Sequence, residues 1–166
     1  LCTLAMAQYR IKYSPVRNVF IVSTALAINN TWEEILTDYQ IDFYRIRKRE
    51  DIKRVQKGQI VLLTVNLLTD LKREMKKLVR IRCQKVMLIF DESDTISNGS
   101  SKRTKAMLSV FRKCRYKVLA TGTMTRNNVV EAAPQLELLY NNSIHYLAKN
   151  EWIFRFRNGQ MEKYAN

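Results

Sequence analysis

Four short apolar runs, each closed by small polar or acidic residues, constrain this 166-residue chain more than any other feature. They read N-V-F-I-V-S-T at 18–24, Q-I-V-L-L-T at 59–64, K-V-M-L-I-F-D-E at 85–92 and Y-K-V-L-A-T at 116–121. A run without polar alternation suits a strand covered on both faces, the condition inside a parallel sheet. A weaker segment, Asp42 to Arg47, reads as a further short strand.

The intervening stretches have helical character. Leu1 to Tyr9 suits a buried helix ended by Ser14-Pro15. A helix from about Thr31 is expected, with Thr31 as N-cap and Glu34 three residues on. The basic segment up to Lys57 reads as an exposed helix or loop. Leu67, Leu71, Met75 and Leu78 mark one face of a helix with Lys and Arg opposite. Ser101 to Lys113 is helical and basic. A last helix runs through Val129 to Tyr140, which Pro134 must kink or start. Alternating strands and helices imply right-handed crossovers and an α/β fold, a mostly parallel sheet with helices on both faces. Beyond Ser143, alternating aromatics and the Asn158-Gly159 turn signal predict a small hairpin.

Composition excludes several function classes. The sequence carries 29 Lys plus Arg against 15 Asp plus Glu, a formal charge of +14, which attracts polyanions. The longest apolar runs fall far short of the roughly 20 residues a spanning helix needs, so no membrane partner is expected. Cys2, Cys83 and Cys114 match neither a zinc pattern nor a disulfide framework, which suits a reducing, intracellular setting. That setting is the cytoplasm for a bacterial or phage chain and the nucleus for a eukaryotic one. His145 is the only histidine, which argues against histidine metal clusters and Ser-His catalysis.

In parallel sheets ligands sit at the carboxyl ends of strands. Polar residues gather there: Ser23 and Thr24, Thr64, Asp91 and Glu92, and Thr121 to Thr123. The sharpest of these is Asp91-Glu92-Ser93-Asp94. Two adjacent carboxylates after a buried strand need solvent, a partner or a cation. Magnesium suits them, since it takes oxygen ligands, keeps waters and bridges to phosphates. The alternative is an acidic turn in which Asp94 caps the next element.

These residues, in this order, resemble the first RecA-like ATPase domain of Swi/Snf-type superfamily-two helicases and translocases, over roughly Leu1 to Tyr140. The family's D-E-x-H or D-E-x-D corresponds to Asp91 to Asp94. Its L-T-G-T-P followed by Asn corresponds to Leu119 to Asn128, with Met124 in place of Pro. Val19 to Ile35, with Trp32, Glu33 and Glu34, resembles motif Ia, although Ser23-Thr24 replaces the commoner Cys-Pro or Thr-Pro. The family's Lys-Asn loop meets Ser97-Asn98 here, which weakens a DNA contact at that spot.

The resemblance implies ATP and Mg2+ as cofactors. Asp91 would hold the magnesium and Glu92 would act as general base. Asp94, Thr121, Gly122 and Thr123 would couple nucleotide state to the track. Ser23, Thr24, Ala25, Thr64, Asn98 and Lys102 would contact nucleic acid, foremost double-stranded DNA. A second RecA-like domain of the same parent would complete the site.

No G-x-x-x-x-G-K-[ST] occurs in the chain. Residues 1–142 are therefore expected to be an incomplete RecA-like domain that begins after its phosphate-binding loop, with 143–166 starting an insertion or connecting hairpin. The isolated chain is expected to be marginally stable and unable to hydrolyse ATP. Two other readings stay open: a non-catalytic basic nucleic-acid module derived from a helicase, and a restriction- or primase-type helicase subunit.

Overall fold

The computed structural model describes residues 2–82, 85–124 and 129–140. The expected hairpin beyond residue 142 lies outside them, as do Asn127 and Asn128.

Five strands form one sheet in the order β2-β3-β1-β4-β5, and every pairing is parallel. They are β1 (Asn18–Ser23), β2 (Phe43–Arg45), β3 (Ile60–Thr64), β4 (Val86–Asp91) and β5 (Tyr116–Ala120). The four apolar runs foreshadow β1, β3, β4 and β5 to within a residue or two, and the weaker segment Asp42 to Arg47 contains β2.

Side-chain alternation along the strands builds two cores. In β1, Val19 and Ile21 join Ile60, Leu62, Met87 and Ile89 beneath α1 (Cys2–Tyr13) and α3 (Glu33–Asp38). Phe20 and Val22 join Val61, Leu63, Leu88 and Phe90 on the other face. That second face is covered by α4 (Val65–Asp70), α5 (Lys72–Arg82), α6 (Lys102–Phe111) and α7 (Ala133–Tyr140). Because both faces carry helices, β1 is buried along its whole length. The edge strand β5 is only half-buried throughout.

Two helix boundaries differ from expectation. Helical backbone begins at α2 (Ala25–Ala27), and its cap is Thr24, whose Oγ1 accepts from the Ala27 N–H at 3.2 Å. A π turn over Ile28–Trp32 then leads into α3. Thr31 sits exposed inside that turn and caps nothing. The Thr-x-x-Glu pattern is real, but the helix had already started seven residues earlier. The other difference is a break between α4 and α5 at Leu71. Leu71 and Met75 are still buried on one face, because the Met75 N–H reaches the Leu71 carbonyl at 2.9 Å and keeps the helical phase.

Helix α3 ends with a left-handed residue, Gln40 at φ 52°. The Ile41 N–H reaches the Leu36 carbonyl and the Gln40 N–H reaches Thr37, the paired bonds of a Schellman cap. The basic stretch after β2 is a 3-10 turn, Arg49–Arg54, anchored by buried Asp51. Its carboxylate accepts from the Arg47 and Lys48 amides at 2.9 and 3.0 Å. The Arg47 amide, foremost, holds that carboxyl below the ordinary carboxylate value.

The topology fixes where a ligand belongs. The chain lays β2 and β3 on one side of β1, then crosses to place β4 on the other. The crevice beyond the carboxyl ends of β1 and β4 is therefore the topological switch point, the usual ligand position in such sheets.

Candidate functional site

Parallel register sets Val22 opposite Phe90, so Ser23 and Asp91 leave the sheet side by side. The Ser23 hydroxyl donates to Asp91 Oδ2 at 3.3 Å. The Trp32 indole N–H donates to the same oxygen at 2.9 Å. Among the described residues both hydrogen bonds to this carboxylate fall on Oδ2 and none falls on Oδ1.

Trp32 reaches that position through the π turn. Arg45 of β2 braces the turn from the far side, with Nη1 on Glu33 Oε2 at 2.6 Å and Nη2 on Asn29 Oδ1 at 2.5 Å. The two arms of one guanidinium thus hold residues on either side of Trp32.

Glu92 is exposed and adopts a left-handed conformation, φ 53° and ψ 48°. For a residue with a Cβ that conformation costs on the order of 1–2 kcal/mol. Such strain persists where the surroundings impose it, and it concentrates at functional sites. It turns the chain sharply into the 3-10 turn Ser93–Ile96 and leaves the Glu92 carboxylate in solvent beside Asp91. Asp94 is buried within that turn, and the residue that caps the following helix α6 is Ser101, whose hydroxyl accepts from the Thr104 N–H.

The Thr121–Thr123 loop follows β5, whose Ala120 is in register with Asp91. The Thr121 hydroxyl accepts from the Thr123 N–H at 3.1 Å and donates to the Thr123 carbonyl at 3.0 Å, so it closes its own turn. The connection from this loop to the acidic turn runs through Gln135 of α7, which is 1% exposed. Its Oε1 accepts from Ser93 Oγ at 2.8 Å, and its Nε2 donates to the Met124 carbonyl at 2.9 Å. Sequence reasoning missed Gln135 because its partners lie 42 and 11 residues away. The available signal was an amide among the buried positions of α7, which also include Glu137.

The residues expected to meet nucleic acid fall into three groups. Thr24 and Ala25 line a cavity of about 140 Å3 together with Val65, Asn66, Thr95 and Arg103. The Thr95 hydroxyl is buried and, among the described residues, has no hydrogen-bond partner. Ser23 and Thr64 are committed internally: Ser23 to Asp91, and Thr64 to capping α4 through the Leu67 N–H. Asn98 and Lys102 lie at the start of α6, where Asn98 Oδ1 holds Ser100 and Lys102 is exposed. Arg103, one residue beyond Lys102, faces the cavity and was not anticipated.

A larger groove of about 580 Å3 runs between α5 and α6, lined by Lys76, Arg80, Lys105, Arg112 and Lys113 over Leu108 and Val110. Most of its lining comes from the half of these helices nearer the amino ends of the strands, so it is separate from the crevice at Asp91.

The donors at the crevice suit a hard divalent cation. Both carboxylates offer oxygen, and among the described residues one Asp91 oxygen has no hydrogen-bond donor. Among the described residues no group of three or more His, Cys, Asp or Glu converges. Magnesium does not need such a cage, since one or two carboxylates, water and substrate phosphates complete its shell.

The family model for the SNF2-related domain matches residues 1–162. Among solved structures, the chain is similar to one described as the Sulfolobus solfataricus SWI2/SNF2 ATPase core in complex with dsDNA. That match has a TM-score of 0.65 at 21% identity, covering 83% of this chain and 28% of the other. None of the curated proteins compared with the chain matches it. The parallel sheet flanked by helices is the RecA-like α/β fold. With its sequence matched from end to end of the described sheet, the chain belongs to the SNF2-related domain family.

Proposed function

We propose that this chain supplies the hydrolysis and coupling half of an ATP-driven motor that moves on double-stranded DNA. The observation that carries this reading is Asp91-Glu92 at the switch-point crevice, with Asp91 anchored through Oδ2 and Glu92 held in a strained, exposed turn.

In this reading Asp91 would hold the magnesium, and the ion would supply charge neutralisation at the ATP phosphates. Glu92 accepts a proton from the water whose oxygen attacks the γ-phosphorus, as the bond to the ADP oxygen breaks. Asp94, Thr121, Gly122 and Thr123 relay nucleotide state. Gln135 joins them, since it ties the acidic turn to the loop after β5. The sequence holds no G-x-x-x-x-G-K-[ST], so no residue here is assigned the grip on the triphosphate. A second RecA-like domain closes the site.

Phosphates of the nucleic-acid backbone sit at the cavity formed by Thr24, Ala25, Asn66, Thr95 and Arg103. A guanidinium, an unpartnered hydroxyl and the start of a helical segment suit a phosphate oxygen better than a base. Lys102 and Asn98 extend that track along the start of α6. Ser23 and Thr64 serve it indirectly, by holding Asp91 and the first turn of α4.

The test is ATP hydrolysis by the full-length protein with and without duplex DNA. Turnover stimulated by duplex and abolished by Asp91→Asn is expected. Turnover indifferent to Asp91→Asn would defeat the reading. No turnover in a protein with an intact phosphate-binding loop would point instead to a non-catalytic nucleic-acid module.

A further inference from the structure

Trp32 makes a contact that core packing alone does not require. Trp32 is partly buried against the core, where any backbone carbonyl or solvent could take its indole N–H. Here it is given to the carboxylate at the centre of the site, across 59 residues of sequence and at 2.9 Å. Three features converge on that placement. The π turn Ile28–Trp32 widens the helix just before Trp32, and such turns are rare and recur at functional sites. Arg45 braces the widened turn at Asn29 and Glu33. The Ser23 hydroxyl arrives at the same Oδ2 from the neighbouring strand, so both donors load one oxygen and spare the other.

A carboxylate at the end of a strand rotates freely about its last bond unless something stops it. Two donors on Oδ2 from different elements fix the plane of the group and aim Oδ1. Donors that orient a metal ligand raise the affinity of the site by their geometry.

We propose that Trp32 is a positioning residue: its indole N–H sets the Asp91 carboxylate for the divalent cation. The helix that carries it starts at Thr24 beside the cavity with Asn66 and Arg103. A ligand at that cavity and a cation at Asp91 are therefore joined by one short run of helix, Thr24 to Trp32. This inference rests on the reading of Asp91 as the cation ligand, and its test separates the two.

The direct readout is Mn2+ binding to the full-length protein in the presence of ADP, followed by electron paramagnetic resonance. Trp32→Phe keeps a ring in the core and removes the donor. It should weaken Mn2+ roughly 10- to 100-fold, the usual effect of losing an orienting partner. Replacing Trp32 by its benzothiophene analogue, which exchanges only N–H for sulfur, should reproduce the loss even if Trp32→Phe fails to fold. Turnover in either variant should recover as Mg2+ is raised, whereas a packing defect would lower the rate at every Mg2+ concentration.

Wild-type Mn2+ affinity in the benzothiophene variant, with affinity lost in Asp91→Asn, would overturn the role of Trp32 and leave the cation reading standing. Unchanged affinity in Asp91→Asn would overturn both.

Discussion

Asp91 has two neighbours in the sheet, and they treat it differently. On the β1 side it is tied down. Ser23 is fully buried, Trp32 and Ser23 both bind Oδ2, and Arg45 braces the turn that delivers Trp32. On the β5 side the strand is half-buried, and Gly122, Thr123 and Met124 are exposed. Thr121 spends its hydroxyl on its own turn, and Gln135 tethers the loop at the Met124 carbonyl. One flank is built to hold a carboxylate still. The other is built with few buried contacts, the physical mark of a segment that shifts at low cost. Under the proposed function, a site that both fixes a cation and reports nucleotide state is served by one flank of each kind.

Gln135 is the strongest way to break this comparison. Gln135→Leu leaves the Ser93 hydroxyl buried without its partner and frees the Met124 carbonyl. A loss of about 1–3 kcal/mol of folding stability is expected from the stranded group. Denaturant melts should register it, and adding Ser93→Ala should recover most of it, since the stranded hydroxyl is then gone. If the loop after β5 is a coupling element, Gln135→Leu also lowers the stimulation of turnover by DNA more than the basal rate. Equal loss of both rates would mean that the tether only supports the fold.

A smaller effect sharpens the other flank. Glu92 pays for a left-handed backbone that Asn tolerates more readily. Glu92→Asn should therefore stabilise the fold by up to about 1 kcal/mol while removing the proposed proton acceptor. A thermal melt that moved down instead would show that the Glu92 side chain makes a stabilising contact of its own.

Much of this architecture was legible in the sequence. Continuous apolar runs gave the strands, because burial on both faces leaves no room for polar alternation. The acids and hydroxyls that close those runs marked the crevice. The first helix boundary was misread because Thr31 and Glu34 satisfy a local capping pattern, whereas Thr24, directly after β1 and before Ala-Leu-Ala, is the residue that caps. Nothing local announces a π turn. The contacts that define the site, Trp32 to Asp91 and Gln135 to Ser93, span 59 and 42 residues. They depend on which elements the sheet brings together, so no single segment could display them.

The central claim is that the acidic pair at the end of β4 performs hydrolysis. Single-turnover ATP cleavage by the full-length protein, wild type against Glu92→Gln, tests it most directly, with nucleotide binding measured in parallel. The account predicts that cleavage falls by about 10^2–10^4-fold while ATP and Mg2+ still bind. Cleavage by Glu92→Gln at the wild-type rate would contradict it.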